Sequence, residues 1–195
     1  MFRRIGWQVL LVGVGFLVAA VILMYMATTY TTEFRPAPGG TYVESIGGYP
    51  QSLNPLLSYY SDADRDVVSF VFSGLTRLAT NGEVEPDLAT GYEISADGIT
   101  YTFQLRRNVV WHDGYPFTAD DVLFTVGLLQ DPDYPGPSDI GELWRSVSVR
   151  KVDDFSVEFA LTEPYAPFLD YTTVGILPEH RLVNVGAAEL PQLTF

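Results

Sequence analysis

The sequence predicts a mixed α and β domain behind one long apolar N-terminal helix. Three observations predict it. The first thirty residues are almost free of charge, and the middle of the chain alternates apolar and polar residues around Asp-Gly and Asp-Asp turns. Two Ser/Thr-x-x-Asp signatures each precede an apolar stretch, which marks helix starts between the strands.

The opening "MFRRIGWQVLLVGVGFLVAAVILMYMATTY" carries an apolar run from Val9 to Ala27, long enough to cross a bilayer as a helix. Arg3 and Arg4 precede it, and no basic residue follows before Arg35. The positive-inside rule then places the N-terminus in the cytoplasm and the rest outside. Trp7 and the Tyr25/Tyr30 pair sit where interfacial aromatics belong. A cleaved signal peptide is the competing reading, but "MYMATTY" offers a poor small-x-small cleavage site. The expectation is a transmembrane anchor over residues 1–30 and an exported remainder. "TTEFRPAPGG" (31–40) reads as a Pro/Gly tether, and residues 41–195 as the exported domain.

In that domain "TYVESI" (41–46) reads as a strand ended by Gly47-Gly48, and "YPQSLNPLLSYY" as a loop. Ser61 is expected to cap a helix, with Asp64 completing a capping box. That helix would run through "RDVVSFVFSGL" and bury Val67, Val68, Val71, Phe72 and Leu75. Asn81-Gly82 makes a turn. "GYEISADGITYTFQLR" reads as a hairpin around Asp97-Gly98, in which Ile99, Tyr101, Phe103 and Leu105 share one face. Thr118 and Asp121 form a second capping box opening "ADDVLFTVGLLQ", with Asp120 and Asp121 favoured by the helix dipole. "SVSVRKV" and "FSVEFAL" make a second hairpin across Asp153-Asp154. Pro164 and Pro167 then interrupt the chain before "VGILPEHRL".

Composition excludes several functions. There is no cysteine, hence no disulfide, thiolate nucleophile or cysteine-based metal site. Only His112 and His180 remain as histidines, too far apart in sequence for a helix-spaced metal pair. A net charge of −13, one lysine and ten scattered arginines give no phosphate-binding patch, so nucleic acid is not an expected partner.

"WHDG" places His112 beside Asp113, the pairing a hydrolase would use. No Gly-x-Ser-x-Gly nucleophile or second carboxylate at a defined offset accompanies it. Asp-Gly is a strong turn pair, with Gly114 free to take positive φ. The residues therefore read as a turn, with no catalytic residue. An exported hydrolase using His112 and Asp113, and a purely structural tethered module, stand as the alternatives.

The stretch "EPDLATGYEISADGITYTFQLRRNVVWHDGYPFTADDVLFTV" resembles the signature region of family 5 extracellular solute-binding proteins, the peptide-, oligopeptide- and nickel-binding receptors of ABC importers. The motifs carrying it are Pro86-Asp87-Leu88-Ala89, the Asp97-Gly98 hairpin with "YTFQLR", Trp111, Asp113-Gly114, Pro116 and Thr118-Ala119-x-Asp121-Val122. Upstream "SLNP" with "VFSGL", and downstream "VDDFSVEFALTEP", extend the likeness over about Gly40 to Leu182.

The resemblance implies a class II periplasmic-binding-protein-like fold, of which this chain supplies the N-terminal part of a two-lobed receptor. The chain would return to the main lobe near "VGILPEHRL", and with Phe195 as its last residue it is expected to be a fragment or a truncated product lacking the second lobe. The implied role is binding of peptides or similar solutes outside the cytoplasmic membrane, with permease subunits as partners and without cofactor or metal. In the family the loop after an "LNP"-like motif lines the cleft, which nominates Tyr59, Tyr60 and Ser61. A second cleft loop follows the "TADDV" helix, which nominates Tyr134. Tyrosine suits both places, since its ring packs on apolar groups while its hydroxyl bonds to a peptide.

Overall fold

The computed structural model describes residues 2–30, 39–41, 43 and 45–193, and within the N-terminal helix the side chains of Trp7 and residues 12–27. The chain divides into two units, Met1–Glu44 and Ser45–Phe195.

In the first unit, helix α1 spans Phe2–Tyr30, 29 residues. Among the described residues no helix is long and apolar enough to cross a membrane. The described α1 side chains are exposed throughout, among them Phe16, Leu17, Leu23 and Met24. The tether expected over residues 31–40 lies, apart from Gly39 and Gly40, outside the described residues.

The strand expected over residues 41–46 does not form at its described positions Thr41, Val43, Ser45 and Ile46. Val43 is 86% exposed. A strand is held by a neighbouring backbone ladder, and these residues have none among the described residues.

The second unit is a two-layer arrangement of helices on an antiparallel sheet. Helix α2, Asp62–Val71, starts at Ser61, whose hydroxyl accepts from the Asp64 amide. The expected capping box is only half made. The Asp64 carboxylate reaches outward to the Gln51 and Ser52 amides, a tertiary demand that outcompetes the reciprocal cap. The helix also stops before Phe72, which is extended at φ −117° and ψ 142°. Val68 and Leu75 are buried as expected, but Val71 is exposed and Val67 and Phe72 are half-buried.

Strands β1 (Thr76–Leu78) and β2 (Val84–Pro86) form a ribbon turned at Gly82, where φ is 83°. The main sheet has the order β3-β4-β6-β5, all antiparallel. It joins both expected hairpins, β3 (Ala89–Ile94) with β4 (Thr100–Leu105) and β5 (Ser148–Asp153) with β6 (Ser156–Ala160). Period-2 alternation sends Tyr101, Phe103, Leu105, Val157 and Phe159 to one buried face. The opposite face is polar, and Arg150 grips Glu158 directly across the strands through two contacts of 2.6 and 2.7 Å.

Helix α3, Ala119–Gln130, covers the apolar face with Val122, Val126 and Leu129. Its capping box between Thr118 and Asp121 is complete. Helix α4, Ser138–Arg145, adds Trp144 to the core. Trp144, Phe159 and Phe168 meet at centroid distances of 5.7–6.1 Å, and Phe103 meets Phe159 edge-on at 5.6 Å. Such burial contributes about 1.5–3 kcal/mol per large side chain. Short helices α5 (Phe168–Tyr171) and α6 (Glu179–Leu182) follow. No strand forms at "VGIL" among the described residues; instead the Ile176 amide bonds to the Ser73 carbonyl and the Leu177 amide to the Thr125 hydroxyl.

Candidate functional site

The loop that carries the first three nominated residues is built from inside. Asn54 is buried, accepts from the Leu56 amide and donates to the Leu190 carbonyl. Ser58–Tyr60 then form one 3-10 turn that leads into the Ser61 cap. Tyr59 is mostly buried, and burial, followed by the neighbouring Tyr171 and Asp139, pushes its phenol up to about 12. Tyr60 is 68% exposed. The Ser61 hydroxyl is already committed to capping α2.

Tyr134 folds onto this loop from 78 residues away, donating its hydroxyl to the Leu56 carbonyl at 2.7 Å. Burial raises its phenol, with Tyr59, Tyr60 and Asp139 adding to the effect. Gly136 makes the approach possible, since a Cβ there would collide with the Tyr134 ring. The structure thus gathers Tyr59, Tyr60, Ser61 and Tyr134 at one end of the unit. Tyr59 borders a sizeable concavity; Tyr134 has its hydroxyl turned inward.

That concavity, of about 720 Å³, lies between α2, β1 and the segment Thr173–Gly175. Tyr59, Asp66, Phe72, Arg77 and Asp87 contribute to its wall. Its floor is a backbone crossing. Thr76 is fully buried, its amide bonds to the Thr172 carbonyl, and the two hydroxyls meet at 2.7 Å. Gly74 passes so close that a Cβ would stand 2.6 Å from the Thr173 carbonyl, which only glycine permits. Gly175 is wedged in the same way against Phe72 and Pro55. The nominations from the sequence missed this crossing, because a backbone contact leaves no side-chain signal beyond the glycines themselves.

"WHDG" is a turn. The Gly114 amide bonds to the Trp111 carbonyl, and the Trp111 amide to the Tyr115 carbonyl. Gly114 takes φ 86°, and the Asp113 carboxylate accepts from the Tyr115 amide. The histidine in contact with Asp113 is His180. Its Nε2 lies 3.0 Å from Asp113 Oδ2, Arg181 reaches the same oxygen at 3.3 Å, and the imidazole stacks on Tyr115 at 4.1 Å. The His180 contact and then the Tyr115 amide, with a lesser part from Arg181, pull the Asp113 carboxyl down to about 2 against the opposing effect of desolvation. His112 is exposed and borders a separate, mainly apolar groove with Phe72 and Trp111. Among the described residues no group of three acidic or histidine side chains is placed to hold a metal.

Residues 83–182, just over half of the chain, match the family model "Bacterial extracellular solute-binding proteins, family 5 Middle". The chain belongs to that family. It is similar to the oligopeptide-binding protein AppA of Bacillus subtilis, 32% identical over 164 residues, covering 83% of this chain and 30% of AppA. The dipeptide-binding protein of Escherichia coli is 36% identical over 66% of this chain and 27% of its own length. Among solved structures, AppA with a bound nonapeptide superposes with a TM-score of 0.69 at 32% identity, over 75% of this chain and 29% of that one. NikZ from Campylobacter jejuni, in complex with Ni(L-His), gives 0.66 at 37% identity over 73% and 28%. This family 5 chain thus spans about 20–30% of the length of the curated relatives it matches. The matched region holds the sheet, α3, α4 and both Asp-Gly turns; Tyr59, Tyr60 and Ser61 lie before residue 83.

Proposed function

We propose that this chain acts in the solute-binding component of an ABC importer, taking peptides or similar solutes outside the cytoplasmic membrane. Family membership carries the reading, with relatives that bind oligopeptides and dipeptides. The concavity beside Tyr59 is the ligand-facing part that this chain contributes, with Tyr60, Ser61 and Tyr134 gathered near Tyr59. The N-terminal helix tethers the receptor beside its permease. The exposed apolar side chains of α1 and the Arg3-Arg4 flank support that role.

The alternative of a hydrolase centred on His112 and Asp113 draws no support from the geometry. Asp113 is occupied by His180 and Arg181, while His112 faces outward. In a receptor carrying the full family length, calorimetry with a defined peptide is expected to show weakened affinity for Tyr59→Ala and Tyr60→Ala, and a smaller loss for Tyr134→Ala. His112→Ala is expected to leave affinity unchanged. Parental affinity and melting temperature in all three tyrosine variants would place the cleft elsewhere.

A further inference from the structure

Three turns of this chain place a glycine behind a carboxamide or carboxyl side chain: Asn81-Gly82, Asp97-Gly98 and Asp113-Gly114. In each the glycine takes positive φ, and the side-chain oxygen before it accepts from the amide two residues on. The Asp97 turn closes a hairpin of the four-stranded sheet, with Pro164 packed against Gly98. The Asp113 carboxylate is held by His180 and Arg181. Asn81-Gly82 has neither support. It joins two strands of three residues each, Asn81, Gly82 and Glu83 are exposed, and nothing stands within 4 Å of where a Gly82 Cβ would be. A two-stranded ribbon is marginal in water, so its tip opens locally at little cost. Opening releases the Gly82 amide from the Ala79 carbonyl, to which it otherwise bonds at 2.9 Å.

Glycine sets the chemistry of such an opened turn. With no Cβ, the Gly82 nitrogen can approach the preceding side chain unhindered. The other asparagines lack that access: Asn54 precedes Pro55, which has no N–H, and Asn108 and Asn184 precede the β-branched Val109 and Val185. The Asn81 Oδ1 accepts from the Glu83 amide at 3.0 Å, a donor placed to stabilise negative charge developing on that oxygen. We propose that Asn81 is a site of spontaneous deamidation in the folded chain. The Gly82 nitrogen, giving up its proton, adds to Asn81 Cγ; the Cγ–Nδ2 bond then breaks and ammonia leaves, taking up a proton in exchange. Solvent water opens the resulting five-membered imide at either carbonyl, leaving aspartate or isoaspartate. Asp97 and Asp113 form the same ring only by expelling water from a protonated carboxyl. Both carboxyls are held below their ordinary value, chiefly by the hydrogen bond from Ser95 at Asp97 and by that from His180 at Asp113. Conversion has a structural consequence at Asn81. Aspartate puts a carboxylate where the amide Nδ2 met the Glu83 carboxylate at 2.8 Å, and isoaspartate adds a methylene to the backbone of the turn. Either product unfastens the tip of the ribbon, while Thr172 still holds its base at Thr76.

The test incubates the full chain in non-ionic micelles at mildly alkaline pH, in native buffer and in concentrated urea. Tryptic mass spectrometry with isoaspartyl methyltransferase labelling follows the products. Cleavage after Arg77 and Arg106 yields one peptide that carries both Asn81 and Asp97, so fragmentation compares the two turns within a single species. In native buffer Asn81 is expected to convert roughly tenfold faster than Asn108 or Asn184. Its rate is expected to stay within roughly threefold of that in urea, because local opening suffices. Asn81→Gln is expected to leave the peptide unaltered over the same period. The converted chain is expected to lose hydrogen-exchange protection at the Ala79 amide and to keep it at Thr76. An Asn81 that survives native buffer yet converts in urea would overturn the proposal, because the turn would then be locked by the fold. Conversion of Asn108 or Asn184 at the same pace would overturn it as well, as would methyl labelling at Asp97 or Asp113 equal to that at Asn81.

Discussion

Two Asp-Gly turns stand sixteen residues apart, Asp97-Gly98 and Asp113-Gly114, and they meet different fates. Both glycines take positive φ, 72° and 86°, and both aspartates accept from the amide two residues on. At Asp97 the bonding stays local: Ser95 donates its hydroxyl at 2.5 Å, and the carboxyl is lowered by that contact and by the Ile99 amide. At Asp113 the carboxylate also holds His180 and Arg181, 67 and 68 residues away. One turn closes a hairpin. The other fastens the approach to α3 onto α6. Identical dipeptides therefore specify identical backbone, while the role is decided by what the rest of the fold brings to the free oxygen.

The glycine substitutions should have the largest effects, and should be alike at the two sites. Gly98→Val and Gly114→Val each force a β-branched residue into the left-handed region and are expected to cost about 1–3 kcal/mol. Denaturant melts of the chain measure this. A silent Gly114→Val would remove the turn from the comparison.

A double-mutant cycle separates the turns more sharply. Asp113→Ala and His180→Ala are expected to be clearly non-additive, because they share one contact, whereas Asp97→Ala and His180→Ala should add. Additivity at both pairs would reduce the Asp113–His180 contact to mere proximity.

Acid should distinguish them next. The Asp113 carboxyl lies at about 2, below its ordinary 3.8. Its contribution to stability is thus complete above 3.8 and lost as pH falls from 3.8 toward 2. Urea midpoints measured between pH 5 and 2 should fall more steeply in the parent than in Asp113→Asn. The smallest expected effect is that of Asp97→Asn at neutral pH, since the amide oxygen can still accept from Ile99 and Ser95; a melting temperature that barely moves is the outcome to check.

Much of the fold was legible because it is local. Both hairpins, the Thr118–Asp121 cap and the buried face of β4 follow from residues within a few positions of one another. The union of the hairpins through β4 and β6 joins Thr100 to Ala160, a pairing that no local pattern encodes. Helix α4 escaped because eight residues opening on Pro137 show too little periodicity, although Ile140 and Trp144 stand four apart on its buried side. Asp64 was readable as a cap partner but not as the holder of the Gln51 and Ser52 amides. For the site, a resemblance supplied the four nominated residues. Their gathering depended on Tyr134 reaching Leu56, and the Gly74–Thr173 crossing left only two glycines as its trace.

That crossing has a consequence for the order in which the molecule can be made. Thr76 finds its hydroxyl partner 96 residues later in the chain, whereas β3 and β4 meet across the five residues between Ile94 and Thr100. Closing so long a loop costs more entropy than closing a hairpin and slows assembly. During synthesis β1 waits until Thr172 has emerged, by which time the four-stranded sheet has all its strands available. The wall of the concavity is therefore the last part to acquire its shape. Pulse-labelled hydrogen exchange on refolding chain should show the Tyr101 and Phe103 amides protected before those of Thr76 and Ile176.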